Sequence, residues 1–154
     1  MFDIRLIFAV LSFLFAFVGC SNEIIVHPYD SRVLDLLKHL EIVPVLSQSG
    51  RVIELNLDGK DIAYQDLRQI SELTELKSLS LYGSTFDQAG LKNFANAGRL
   101  ETLGVGETAI TDQSLDLIAT IPSLRWLWIS ECDKLTPEGV AKFRQVRPDV
   151  EVFQ

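Results

Sequence analysis

From Val52 onward the apolar positions recur with a fixed period. The segments Val52-Ile-Glu-Leu-Asn-Leu57, Leu76-Lys-Ser-Leu-Ser-Leu81, Leu100-Glu-Thr-Leu-Gly-Val105 and Leu124-Arg-Trp-Leu-Trp-Ile129 begin 24 residues apart, and each reads L-x-x-L-x-L. Alternation at the end of each segment is the period of a β-strand with one buried face. The second half of each unit repeats as well. Ile62, Phe86 and Ile110 share one position, followed five residues later by Leu67, Leu91 and Leu115, and three further by Ile70, Phe94 and Ile118. Apolar residues three apart are helical neighbours, so each unit predicts one short strand and one helix. In the last unit the set comes one residue late, at Leu135, Val140 and Phe143, because the turn 130–134 carries an extra residue. Val150-Glu-Val-Phe153 reads as a truncated fifth strand closing the stack.

This pattern resembles the leucine-rich repeat, whose units of 20–29 residues each supply a strand and a helix. Thr108-Ala-Ile-Thr-Asp-Gln-Ser-Leu115 and Leu135-Thr-Pro-Glu-Gly-Val140 are similar to the helical subclass found in bacterial, F-box-associated and ribonuclease-inhibitor-like repeats, whose helix opens with Thr-Asp or Thr-Pro. The resemblance covers residues 52–153 and implies an α/β solenoid. Its parallel sheet would line the concave face and its helices the convex face, with four full repeats plus a C-terminal strand. Helix capping agrees: Thr136 suits an N-cap, Pro137 the first helical position and Glu138 the helix dipole. Thr111 with Asp112, and Asp87, can serve alike, whereas the first unit has Ala63 at that place.

A single repeat cannot bury its apolar side, so the ends need caps. Asp30 to Leu40, with Val33, Leu36, Leu37 and Leu40 on one side, predicts the helix of an N-terminal cap spanning 30–51, with Pro44 and Gly50 punctuating the path to the first strand. The repeat domain then spans 52–154.

Alternation sends the residues between the strand leucines to the open face. The first column across the four strands is Glu54, Ser78, Thr102 and Trp126; the second is Asn56, Ser80, Gly104 and Trp128; the third is Asp58, Tyr82, Gly106 and Ser130. Trp126 and Trp128, the protein's two tryptophans, thus share one strand beside Gly104 and Gly106. The candidate partner-binding residues are Trp126, Trp128, Tyr82, Thr102, Asn56 and Glu54, since exposed aromatic residues are common binding anchors. The opposing expectation is that the C-terminal strand covers the tryptophans, or that they pack on each other. Glu107, Glu131 and Asp133, with Asp58 and Asp61 further along, form an acidic rim. Such a rim reads as a solvated loop edge, as a cation-preferring or hydroxyl-binding edge, or, lacking ligand spacing, as a poor metal site.

The N-terminus carries an address. Leu6 to Val18 is a 13-residue apolar run interrupted only by Ser12, with Arg5 before it. It is shorter than the roughly 17–25 residues that span a bilayer and has the length of a signal-peptide core. It ends in Phe17-Val18-Gly19-Cys20-Ser21, which resembles the bacterial lipobox. That resemblance implies a signal peptide over 1–19, acylation of Cys20 and a lipidated tether over 20–29. It also implies a lipid-anchored protein of the cell envelope, with Ser21 after the cysteine favouring the outer membrane, facing the periplasm or the cell surface. A plain cleaved signal peptide or an uncleaved anchor would use the same residues. If Cys20 is lipidated, Cys132 is the remaining cysteine and no intrachain disulfide can form.

Fourteen Lys and Arg against 21 Asp and Glu give a formal charge of −7, which leaves no basic footprint for nucleic acid. Catalysis has little support. His27 and His39 lie outside the repeats, no nucleophile-elbow, zinc-protease, C-x-x-C or P-loop pattern occurs, and Cys132 sits between Glu131 and Asp133, which disfavour its thiolate. His39 is expected to be a partly buried cap residue. No cofactor or metal is implied. The expectation is a non-enzymatic, membrane-anchored binding or scaffold module that engages a protein through its concave face. The alternatives are a glycan- or peptidoglycan-binding module using Trp126 and Trp128, and a structural domain that oligomerises.

Overall fold

The computed structural model describes Asp30 and residues 33–154. The apolar N-terminal run, Cys20, His27 and the tether lie outside the described residues. What is described is a mixed α/β structure with one mostly parallel sheet. In chain order it comprises α1 (Leu34–His39), β1 (Val45–Leu46), β2 (Val52–Asn56), β3 (Asp61–Ile62), α2 (Tyr64–Ser71), β4 (Ser78–Ser80) and β5 (Thr85–Phe86). A 3₁₀ helix (Gln88–Asn96), β6 (Thr102–Gly104), α3 (Asp112–Ile118), β7 (Trp126–Trp128), α4 (Pro137–Val146) and β8 (Glu151–Phe153) follow.

The main sheet has the order β1-β2-β4-β6-β7-β8. The four L-x-x-L-x-L strands pair in parallel and in phase: Glu54 faces Ser78, Ser78 faces Thr102, and Thr102 faces Trp126. The columns expected from the repeat are therefore real ladders. The fifth strand extends them, with Glu151 beside Trp126 and Phe153 beside Trp128. A second, two-stranded sheet pairs β3 with β5 where the chain turns toward its helices.

Inward-facing leucines of the strands and the helix positions spaced by three form one buried core. It runs from Leu55, Leu79, Leu103 and Leu127 in the strands to Leu67, Leu91, Leu115 and Phe143 in the helices. Capping follows the sequence at Thr136 and Asp87 but not at Thr111, whose hydroxyl makes no cap bond while its N–H donates to Ser114 Oγ at 3.1 Å and Asp112 is taken up by Thr136. Thr136 Oγ1 accepts from Gly139 N at 3.0 Å, and Asp87 accepts from Ala89 N at 2.9 Å. In the first unit, where Ala63 has no acceptor to offer, Asp66 reaches back to accept from Ala63 N at 2.9 Å.

Four expectations change. The α-helix of the cap spans Leu34–His39 only; Asp30 and Val33 lie in 3₁₀ turns before it, and the buried Asp30 accepts the Val52 N–H at 2.8 Å and pairs with Arg51. The cap also contains a strand: β1 lies antiparallel to β2 through a tight turn in which Gly50 takes φ +74°. His39 is exposed in the last turn of α1, not partly buried. In the second unit the helix is 3₁₀. Gly90 packs so closely that a Cβ there would lie 2.7 Å from Leu67 Cδ1, and Asn93 Nδ2 donates to Gly90 O at 2.9 Å, taking up a helix carbonyl.

Candidate functional site

The open face of the sheet gathers the exposed aromatic residues. Trp126 is 39% exposed, Trp128 38% and Tyr82 36%, while Leu127 between the tryptophans is fully buried. Strand alternation therefore places both indoles outward, as the spacing demanded. The tryptophans do not pack on each other as a stacked pair. Trp128 stacks on Phe153, with ring centroids 4.6 Å apart and planes at 13°. The C-terminal strand thus braces one tryptophan without removing either from solvent.

Tyr82 projects from the end of β4 toward Gly106. A Cβ at Gly106 would fall 2.9 Å from two atoms of the Tyr82 ring and 2.9 Å from Ser130 Oγ, so only glycine leaves the ring its seat. Hydrogen bonding toward the Glu107 carboxylate, partial burial, and the charges of Glu107, Glu131 and Asp58 push the Tyr82 phenol up to about 12. Asp58 also organises the ladder, accepting from Ser80 Oγ at 2.5 Å and Tyr82 N at 3.0 Å. Tyr82, Glu107, Glu131 and Asp58 therefore form one electronegative end of the face.

The other residues expected at the site are spread out. Thr102 is half-buried beside Trp126 in the same ladder. Glu54 and Asn56 are exposed on β2, three strands from Trp126, or about 14 Å at the usual strand spacing. Asn56 spends its carbonyl on Asp58 N at 2.9 Å. Asp133 is exposed past the turn and, with Glu131, Cys132 and Arg144, lines a cavity of about 430 Å³ at the C-terminal end. Among the described residues no group of three or more His, Cys, Asp or Glu converges as a metal would require.

Two features escaped the sequence. Phe153 belongs to the aromatic face, and its phase in the fifth strand was the available signal. The second is backbone: Gly59, Gly83, Glu107 and Glu131, again 24 apart, all adopt positive φ, at +67°, +63°, +52° and +57°. Each strand ends in a left-handed turn, and the third and fourth turns use glutamate where the first two use glycine. Cys132 also gains a plain role. Its half-buried thiol donates to Val105 O at 3.2 Å, as Ser84 Oγ donates to Leu57 O at 2.7 Å at the equivalent position two repeats earlier.

The sequence matches no protein-family model and none of the curated proteins compared with it. Among solved structures, it is similar to a leucine-rich-repeat protein of Leptospira interrogans, with TM-score 0.51 and 20% identity over 72% of this chain. The likeness spans 28% of that longer protein, so it concerns architecture. The chain has a leucine-rich-repeat-like fold.

Proposed function

We propose that the protein is a lipid-anchored binding module of the bacterial cell envelope, built as a short solenoid of four repeats and a closing strand, that takes a protein partner on its concave sheet face. The carrying observation is the exposure of Tyr82, Trp126 and Trp128 on one face, with Phe153 fixing Trp128. Large aromatic side chains held rigid at a solvent face lose little entropy on binding and dominate interface energetics. The anchor rests on the apolar run and Cys20 alone. No reaction is assigned: the face offers hydroxyls, indoles and carboxylates, but no base paired with a nucleophile.

Two experiments test this. Fatty-acid labelling of the expressed full chain should be lost on Cys20→Ala; persistent labelling, or none at all, would remove the anchor. Affinity capture from a solubilised envelope extract should retain a protein with the parent chain and not with Trp126→Ala/Trp128→Ala, both folded by circular dichroism. Equal capture by both would move the binding surface elsewhere.

A further inference from the structure

Trp128 and Phe153 are paired residues on adjacent strands, and their ring separation of 4.6 Å is close to the spacing of about 4.8 Å between strands. The two rings therefore stand side by side across the sheet, upright from it. Phe153 occupies the Trp128 face toward β8. The opposite face is turned to β6, where the paired residue is Gly104. A Cβ built at Gly104 would meet Ser80 first, with Oγ at 3.3 Å and Cα at 3.8 Å, and no indole atom lies nearer to it than these. The register thus leaves a side-chain gap one strand wide over Gly104, a slot between Trp128 on β7 and the small Ser80 on β4. Tyr82 and Glu107 stand at one end and Thr102 and Trp126 at the other.

The slot's surroundings have one sign of charge. The three face columns, their continuation on β8 and the left-handed turn positions carry Glu54, Asp58, Glu107, Glu131 and Glu151, with no Lys or Arg among them. Lys77 and Arg125 precede the face positions, and Arg125 is paired with Asp149 at 3.3 Å. An anionic or phosphorylated segment would be repelled. An apolar side chain would bring nothing to the carboxylates. A guanidinium is planar enough to continue the Phe153–Trp128 stack, is attracted by an indole face, and offers a forked donor to a carboxylate.

We infer that the slot over Gly104 receives an arginine side chain from an extended segment of the partner protein, the guanidinium stacking on Trp128 and pairing with Glu107. This rests on the sheet face being the binding surface. The test uses the full-length protein in detergent micelles, titrated with an acetylated, amidated Gly-Arg-Gly-Arg-Gly peptide and with its lysine and citrulline counterparts, following tryptophan fluorescence. Citrulline keeps the planar shape and removes the charge. The arginine peptide should quench the emission saturably. The lysine peptide should bind severalfold more weakly, and the citrulline peptide about tenfold more weakly or not at all. Gly104→Val, which fills the slot at a position with ordinary strand backbone, should abolish the quench. Glu107→Gln should weaken it about tenfold while leaving the fold intact. Equal binding of arginine and citrulline peptides would overturn the assignment, as would arginine binding unaffected by Gly104→Val, quenching by an oligosaccharide in place of the peptide, or a concentration-dependent dimer abolished by Gly104→Val. Tryptophan-dependent capture of a protein that excess arginine peptide does not displace would overturn the arginine assignment and leave the sheet-face function standing.

Discussion

Asp112 holds Thr136. The carboxylate, in the first turn of α3, accepts the Thr136 N–H at 3.0 Å and the Thr136 hydroxyl at 2.7 Å, while the same hydroxyl oxygen accepts from Gly139 N and caps α4. One carboxylate thus ties the start of the last helix to the helix before it. The tie requires Gly139 to lack a side chain, since a Cβ there would fall inside the Asp112 carboxylate.

This contact makes a signed prediction. Gly139→Ala should lower stability by about 1–2 kcal/mol, because the displaced carboxylate loses both Thr136 bonds. In an Asp112→Ala background the same change should raise stability by about 0.5–1 kcal/mol, since alanine is the better helix former. Urea unfolding of the four proteins decides it. A Gly139→Ala effect of the same sign in both backgrounds would contradict the contact.

The left-handed turns yield a second. An L-residue at positive φ costs about 1–2 kcal/mol, part of which glycine returns as unfolded-state entropy. Glu131→Gly should therefore stabilise the protein by about 0.5–1 kcal/mol, and Gly83→Ala should destabilise it by about 1 kcal/mol, read as opposite shifts in Tm.

Tyr82 gives a spectroscopic prediction. Its phenol should ionise near 12, not 10, in a 295 nm titration corrected with Tyr82→Phe, and Glu107→Gln should bring it down. A folded-state value raised above the unfolded one favours the native state below pH 10. That contribution is lost as pH rises from 10 through 12, because the unfolded chain releases the proton first. A Tyr82 titration unmoved by Glu107→Gln would show that the hydroxyl does not reach Glu107.

Acid stability depends on carboxylates held by the last unit. Arg147 Nε and Nη2 donate to Asp149 at 3.0 and 2.9 Å, and its Nη atoms also donate to the carbonyls of Ala119, Ile121 and Leu124. The bond from Arg147 brings Asp149 down to about 2, and the Thr136 bonds lower Asp112. Folded values below the unfolded 3.8 favour the native state above that pH, and the contribution is lost as pH falls from about 4 toward 2. Arg147→Ala should cost about 3 kcal/mol at neutral pH by stranding those carbonyls, and should flatten the acid limb of a urea-midpoint profile. An unchanged acid limb would contradict the pairing.

Much of this was legible in the sequence, because apolar period and side-chain phase are local consequences of strand and helix geometry. The register of Glu54, Ser78, Thr102 and Trp126 follows from counting 24. The cap strand Val45–Leu46 was not read, since two residues give no period and its turn had to be inferred from Gly50 alone. Glu107 and Glu131 follow successive strands at the same offset, and Asp133 lies with Glu131 in the lining of the cavity at the C-terminal end. The stacking of Phe153 on Trp128 depends on where a truncated strand docks, which composition does not encode.

The most direct test of the sheet face is site-specific photocrosslinking in living cells, from a photoreactive residue placed in the full chain at Thr102 or, on the opposite side, at Lys142 in α4. Thr102 lies beside Trp126 on the open face, and Lys142 is exposed on a helix. The expected result is a discrete protein adduct from Thr102, lost when Trp126 and Trp128 are changed to alanine, and no such adduct from Lys142. An adduct from Lys142 with none from Thr102 would place the partner on the helices and contradict the account.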